Sequence, residues 1–257
     1  MDIKIIVATH KPYWMPSDPV YMPLRVGCIG KDDFGYTGDH TGSHISEKNA
    51  SFCELTGLYW AWKNLRADYI GLVHYRRHFS SGKHFGNKQD RVIDRSGLEK
   101  ALEGVDVLVA KQRHYWIETN YSQYAHAHHA IDLDVTREII NEKYPDYTAA
   151  FDASMKRTHG HRFNLFVMKY PLFCQYCAWL FDILFELESR LDTSQYNAND
   201  ARVFGFVSER LMDVWLETNH IAYRELPYVF METQNWLVKG GKFLKRKISA
   251  VSKTAQR

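Results

Sequence analysis

Cysteine is scarce in this chain, with four (Cys28, Cys53, Cys174, Cys177) among 257 residues, too few for the disulfide framework of a small secreted domain. Free thiols are expected. Cys174 and Cys177 form a Cys-x-x-Cys pair, but it lies inside an apolar helical stretch without a second pair, so core packing is its expected role. Long apolar runs are also missing. No segment reaches the roughly 18–20 uninterrupted apolar residues of a membrane span. Residues 1–8 show neither a basic leader nor a small-residue cleavage site, so a cytoplasmic protein is expected. Charge of one sign is not in excess: 33 Lys+Arg against 30 Asp+Glu give only +3, which supplies no case for a nucleic-acid partner. Three signature loops are absent as well. Without Gly-x-Gly-x-x-Gly after the first strand, Gly-x-x-x-x-Gly-Lys-Ser/Thr or Gly-x-Ser-x-Gly, the sequence argues against a dinucleotide oxidoreductase, a P-loop nucleotidase and a serine-elbow hydrolase.

What is present is material for one large globular domain: 45% hydrophobic and 14% aromatic residues in a 257-residue chain. The last segment departs from this composition. Residues 239–257 carry seven basic side chains and no acidic one, and subtracting that +7 from +3 leaves the first 238 residues at −4. We therefore expect a domain over 1–238 and a basic tail over 239–257. Phe243, Leu244, Ile248 and Val251 interleave with the tail's cations, a pattern suited to peripheral contact with an anionic membrane surface as well as to a solvated terminus.

Strand and helix signals alternate. Ile3–Ala8 reads as a buried strand stopped by Pro12, 67–73 as a second, 105–110 as a third and 163–168 as a fourth, with short closing strands near 222–223 and 229–230. Helical spacing predicts helices over 46–64 with Ser46 as N-cap, and over 95–103, 132–143, 147–155, 171–190 and 201–219. This alternation predicts an α/β fold. In such folds ligands bind at the carboxyl ends of strands. Thr9, His10 and Lys11 follow the first strand, and His74, Tyr75, Arg76, Arg77 and His78 follow the second. Four potentially cationic groups within five residues are costly to bury without negative partners, so an anionic, phosphorylated ligand is the economical explanation; an exposed basic rim is the alternative. Asp39 and Asn49, beside the 46–64 helix, are candidates for the same ligand. The thirteen histidines include His126, His128, His129, His159 and His161, which match no zinc spacing.

Four segments together resemble a bacterial family of capsular and exopolysaccharide glycosyltransferases long labelled a domain of unknown function. They are Glu54-Leu-Thr-Gly-Leu-Tyr-Trp-Ala-Trp-Lys-Asn64, Ile70-Gly-Leu-Val-His-Tyr-Arg-Arg77, Asn164-Leu-Phe-Val-Met168 and Gly205-Phe-Val-Ser-Glu-Arg-Leu211. The resemblance runs from about residue 2 to 236 and omits the tail. It implies a single Rossmann-like GT-A-type domain, α/β with a mixed, mainly parallel sheet flanked by helices. It also implies transfer of a sugar, such as galactose or galactofuranose, from a nucleotide-sugar (UDP as first choice) to a glycan or lipid-linked acceptor. GT-A enzymes usually carry Asp-x-Asp for a divalent cation, and here His74-Tyr75-Arg76-Arg77 stands in that place. The expectation is therefore metal-independent transfer: Thr9, His10, Lys11, Asp39, Asn49, His74, Tyr75, Arg76 and Arg77 bind the donor, Glu209 (or else Asp200) deprotonates the acceptor, and His161, Asn164 and Arg210 touch the sugar or acceptor. A metal-dependent hydrolase built on the histidines and a non-catalytic nucleotide-sugar-binding protein are the other readings.

Overall fold

The computed structural model describes residues 1–83 and 85–232; the expected basic tail and its membrane contact lie outside the described residues. In chain order the strands are β1 (Ile3–Thr9), β2 (Tyr21–Arg25), β3 (Thr37–Gly38), β4 (Tyr69–His74), β5 (Arg77–Phe79), β6 (Val107–Ala110), β7 (Arg113–His114), β8 (His159–Gly160), β9 (Phe166–Lys169), β10 (Arg224–Leu226) and β11 (Tyr228–Phe230). The helices are α1 (Asn49–Phe52), α2 (Leu55–Asn64), α3 (Arg95–Ala101), α4 (Asn120–Ala127), α5 (Ala130–Lys143), α6 (Thr148–Lys156), α7 (Tyr170–Arg190) and α8 (Val203–Thr218).

The main sheet runs β10-β6-β9-β4-β1-β2-β3, with β5 leaving β4 and carrying β11. Strands β1, β2, β3 and β4 are mutually parallel, as are β6 and β10, while β9 runs antiparallel between β4 and β6. The sheet is thus mixed and mainly parallel, as expected. Its central strands are covered on both faces, which is why Ile5–Ala8 reads as a continuous apolar run, with Lys4 the one half-buried polar position in β1. Ile6, Ala8, Ile70, Leu72, Val109 and Phe166 face a large core built with α2, α5, α7 and α8. Ile5, Val7, Val73, Leu108 and Val167 face the opposite, smaller core under α3. Gly71 permits this packing, because a Cβ there would come within 2.8 Å of the Phe166 carbonyl on β9.

Several boundaries differ from the sequence pattern. The helix expected over 46–64 is broken: a 3₁₀ turn at Ser46–Lys48 leads into α1, the chain turns at Cys53 (φ +53°), and α2 begins at Leu55. Ser46 caps no helix; its hydroxyl is given to the Asp39 carboxylate. The fourth strand starts three residues late because Phe163 (φ +76°) and Asn164 (φ +53°) are left-handed. Strand β2 lies hidden in a Pro-containing loop-like stretch, where it is legible only through its pairing with β1.

Candidate functional site

The carboxyl ends of β1 and β4 lie side by side, Ala8 opposite His74 in the parallel register. Here His10, His74 and Arg76 meet residues delivered by the α1–α2 break and by the segment before α8. A cavity of about 200 Å³ is lined by His10, His74 and Arg76 from the strand ends, Asn49, Cys53 and Glu54 from the break, and Arg202 from before α8. The break is built by close packing. Gly57 lets α2 lie against β2, since a Cβ there would meet Val26 and Leu24 side chains at 2.9 and 3.0 Å.

Backbone strain converges on Glu54. Cys53 adopts a left-handed φ immediately before it, and its partner Asn164 is also left-handed. Asn164 Nδ2 donates to Glu54 Oε1 at 2.8 Å, and Ser208 Oγ on α8 donates to Asn164 Oδ1 at 3.2 Å. Non-glycine residues in this region each cost about 1–3 kcal/mol and persist where the surroundings over-determine them, often at functional sites. Burial, opposed by the Asn164 hydrogen bond and helped by Glu209, pushes the Glu54 carboxyl above its ordinary range. Glu54 was not among the candidates drawn from the sequence, although it opens the first of the four segments that carry the resemblance. Arg202, whose Nε reaches the Cys53 thiol at 3.1 Å, was also missed; no local motif marks it.

The cations are less charged than the sequence implied. Burial, then Arg76 and Arg77, push the His74 imidazole down to about 2. It is neutral at physiological pH, and its Nδ1 accepts the Arg76 N–H at 3.2 Å, which leaves Nε2–H as a donor. Burial pushes His78, enclosed edge-on by Trp14 and Tyr21, down to about 4. The fixed positive charge therefore comes from Lys11, Arg76, Arg77 and Arg202. Arg76 and Arg77 each bury an Nε without a hydrogen-bond partner among the described residues. Arg77 stacks on Phe163 at 4.3 Å and Phe230 at 5.4 Å, and burial lowers its pKa against the opposing pull of Glu209.

The two histidines have a consequence for stability. The unfolded chain takes up their protons near pH 6.5, whereas the folded chain resists until about pH 4 at His78 and about 2 at His74. Stability is therefore full above pH 6.5 and falls on acidification, at about 1.4 kcal/mol per pH unit for each histidine. Urea unfolding at pH 7 and pH 5 should differ by roughly 2–4 kcal/mol, and His78→Leu should flatten the slope; equal stabilities at both pH values would refute this account.

Five expected contact residues are enclosed by partners within the protein. Thr9 is fully buried and its hydroxyl donates to the Lys11 carbonyl at 2.6 Å, which shapes the loop. Tyr75 is buried as a platform under His10 and Lys11, with the Lys11 ammonium 5.2 Å above its ring. Asp39 is buried and accepts from Gly27 N–H, Cys28 N–H and the hydroxyls of Ser46 and Thr56, so it anchors the loops around the cavity. His161 spends both ring nitrogens on Asp213 and Glu225. Arg210 is buried between Gln123 Oε1 (2.8 Å) and the Phe206 carbonyl (3.0 Å) and ties α8 to α4.

Of the two carboxylates proposed as base, Glu209 is the one beside the cations. It lies in the fields of Arg77, Arg202 and Glu54, its Oε2 accepts from Arg210 Nη1 at 3.3 Å, and its backbone carbonyl is held by Arg162 at 3.0 Å. Asp200 is instead occupied by His128 (3.0 Å), Asn197 (2.6 Å) and Asn199 (3.2 Å). Burial raises its pKa, but these hydrogen bonds outweigh that effect and hold it below the ordinary carboxylate range. The histidines expected for a hydrolase are dispersed: His126 pairs with Glu118, His128 and His129 with Asp200, and His159 stacks on His114. Among the described residues, no three His, Cys, Asp or Glu side chains form a group able to hold a metal ion. Nor is any described helix long and apolar enough to cross a membrane.

This architecture is a Rossmann-like domain of the glycosyltransferase GT-A type, with a polar, cationic cleft at its strand ends. The chain belongs to the family described as Domain of unknown function (DUF4422), which it matches over residues 4–220. It is similar to WbbM, a bifunctional glycosyltransferase solved in the apo state, at 30% identity and a TM-score of 0.84, over 91% of this chain and 46% of that one. This chain thus spans about half the length of WbbM. No curated protein matches it.

Proposed function

We propose that the protein is a glycosyltransferase that moves a sugar, galactose or galactofuranose, from a nucleoside-diphosphate sugar, UDP being the first choice, to a glycan acceptor in surface-polysaccharide synthesis. The observation that carries this reading is the convergence of Lys11, Arg76, Arg77 and Arg202 with two carboxylates, Glu54 and Glu209, at strand ends of a glycosyltransferase fold. In the reaction the bond from the acceptor oxygen to the anomeric carbon forms as the bond from that carbon to the diphosphate oxygen breaks. The leaving diphosphate gains negative charge, which Arg76 and Arg77 stabilise with donors already in place. Neutral His74 contributes an Nε2–H rather than a charge. Glu54, braced by Asn164, orients the sugar through its hydroxyls, while Glu209 takes the acceptor's proton in an inverting transfer. Residues 239–257 would hold the enzyme at the cytoplasmic face of an anionic membrane, where a lipid-linked acceptor resides.

Because the cations are side chains, transfer should need no divalent metal. Incubation with radiolabelled UDP-, GDP-, CMP- and TDP-sugars and bacterial lipid-linked glycan should give product with one nucleotide class at unchanged rate in excess EDTA. Strict Mn²⁺ or Mg²⁺ dependence would overturn the metal-free mechanism. Donor binding without turnover, acceptor present, would overturn the enzymatic reading in favour of a nucleotide-sugar-binding protein.

A further inference from the structure

The chain leaving β11 brings a carboxylate to the cations of the cleft. Glu232 Oε1 lies 3.7 Å from Lys11 Nζ and its Oε2 lies 3.7 Å from Arg76 Nη1. The backbone that carries it is held on both sides. Strand β11 pairs with β5, Met231 N–H donates to the Arg76 carbonyl at 2.9 Å, and Lys88 Nζ donates to the carbonyls of Met231 (3.2 Å) and Glu232 (3.0 Å). The side chain itself is held loosely. Both ion pairs exceed hydrogen-bond length and all three side chains are a third or more exposed, a geometry in which an ion pair stabilises little and is readily exchanged.

We propose that Glu232 is a built-in counter-ion of the anion site. In the free protein its single carboxylate spans Lys11 and Arg76, and an entering diphosphate, which carries more charge and more acceptor oxygens, displaces it and takes over both cations. The inference rests on the proposed placement of a donor diphosphate at these residues. Its consequence is a threshold: Glu232 lowers the mutual repulsion of the clustered cations in the empty cleft, and only a multiply charged anion repays its removal. Singly charged anions are thereby selected against.

Inorganic pyrophosphate probes this independently of the nucleotide and of the sugar. Calorimetric titration of the full chain in chelator-containing buffer should show Glu232→Gln and Glu232→Ala binding pyrophosphate about three- to tenfold more tightly than wild type, with the gain shrinking as salt is added. Arg76→Gln should bind it more weakly. Unchanged or weaker binding by both Glu232 variants, with Arg76→Gln still impaired, would overturn the counter-ion role and leave the diphosphate site standing. Pyrophosphate binding that is absent throughout, or indifferent to Arg76→Gln, would overturn the diphosphate site and this proposal with it.

Discussion

Arg77→Met is expected to slow sugar transfer about 100- to 1000-fold while leaving thermal stability unchanged or slightly higher. The two halves of that expectation share one cause. Arg77 makes no direct ion pair among the described residues, buries its Nε without a partner, and has its pKa lowered first by burial. A guanidinium kept in such a place costs the free protein, and on the proposed mechanism it serves the charge of the leaving diphosphate. Met retains the stacking volume against Phe163 and Phe230, so the fold forfeits only the cation–π attraction, which relief of the buried, unpartnered guanidinium offsets. On the proposed mechanism the loss falls on kcat, because the leaving diphosphate gains its extra charge only as the bond breaks. Arg77→Lys should recover part of the rate, since charge is kept but the planar fork is lost. A kcat within threefold of wild type for Arg77→Met would remove Arg77 from the mechanism.

The largest effect on stability is expected away from the cleft, at Asp213 on α8. This buried carboxylate accepts the His161 backbone N–H at 3.1 Å, bonds the His161 ring and lies 3.7 Å from Arg162 Nη1. Gly160 completes the packing, for a Cβ there would sit 2.6 Å from both the Asp213 carboxylate and the Arg162 guanidinium. Asp213→Ala would leave Arg162 without its counter-charge and His161 without its partner, at a cost of about 3–5 kcal/mol. Urea denaturation measures this directly, and a loss below about 1 kcal/mol would show that the network is not a major support of the fold. The damage would also reach the site. Arg162 holds the Glu209 carbonyl and reaches the Tyr115 hydroxyl at 3.2 Å, so the folded fraction of the variant should transfer sugar more slowly.

Much of this was legible in the sequence where the chemistry is local. The apolar run Ile5–Ala8 before Thr9 marked a strand buried on both faces, and the series His74-Tyr75-Arg76-Arg77 marked a cationic strand end. Other features were invisible because they depend on chain segments far apart in sequence. Strand β2 looks like loop until β1 pairs with it. Asp39 carries the charge expected of a ligand contact, yet four donors from Gly27, Cys28, Ser46 and Thr56 surround it. His161 looked available until Asp213 and Glu225, on α8 and β10, took both its nitrogens. Glu54 passed as an ordinary residue at a helix start because the strain beside it lies at Cys53 and at its hydrogen-bond partner Asn164, 110 residues away in sequence.

By itself the sequence determined the α/β class, the position of the cationic strand end and the family resemblance, because hydrophobic period and contiguous motifs need no partner to be read. The tertiary structure alone decided which of those side chains carry charge and which reach the cleft. Ionisation follows from burial and from the fields of distant groups: desolvation silences His74 and His78, while the chain leaving β11 and helix α8 bring Glu232 and Glu209 to the arginines. Those are three-dimensional quantities, and no spacing along a chain encodes them.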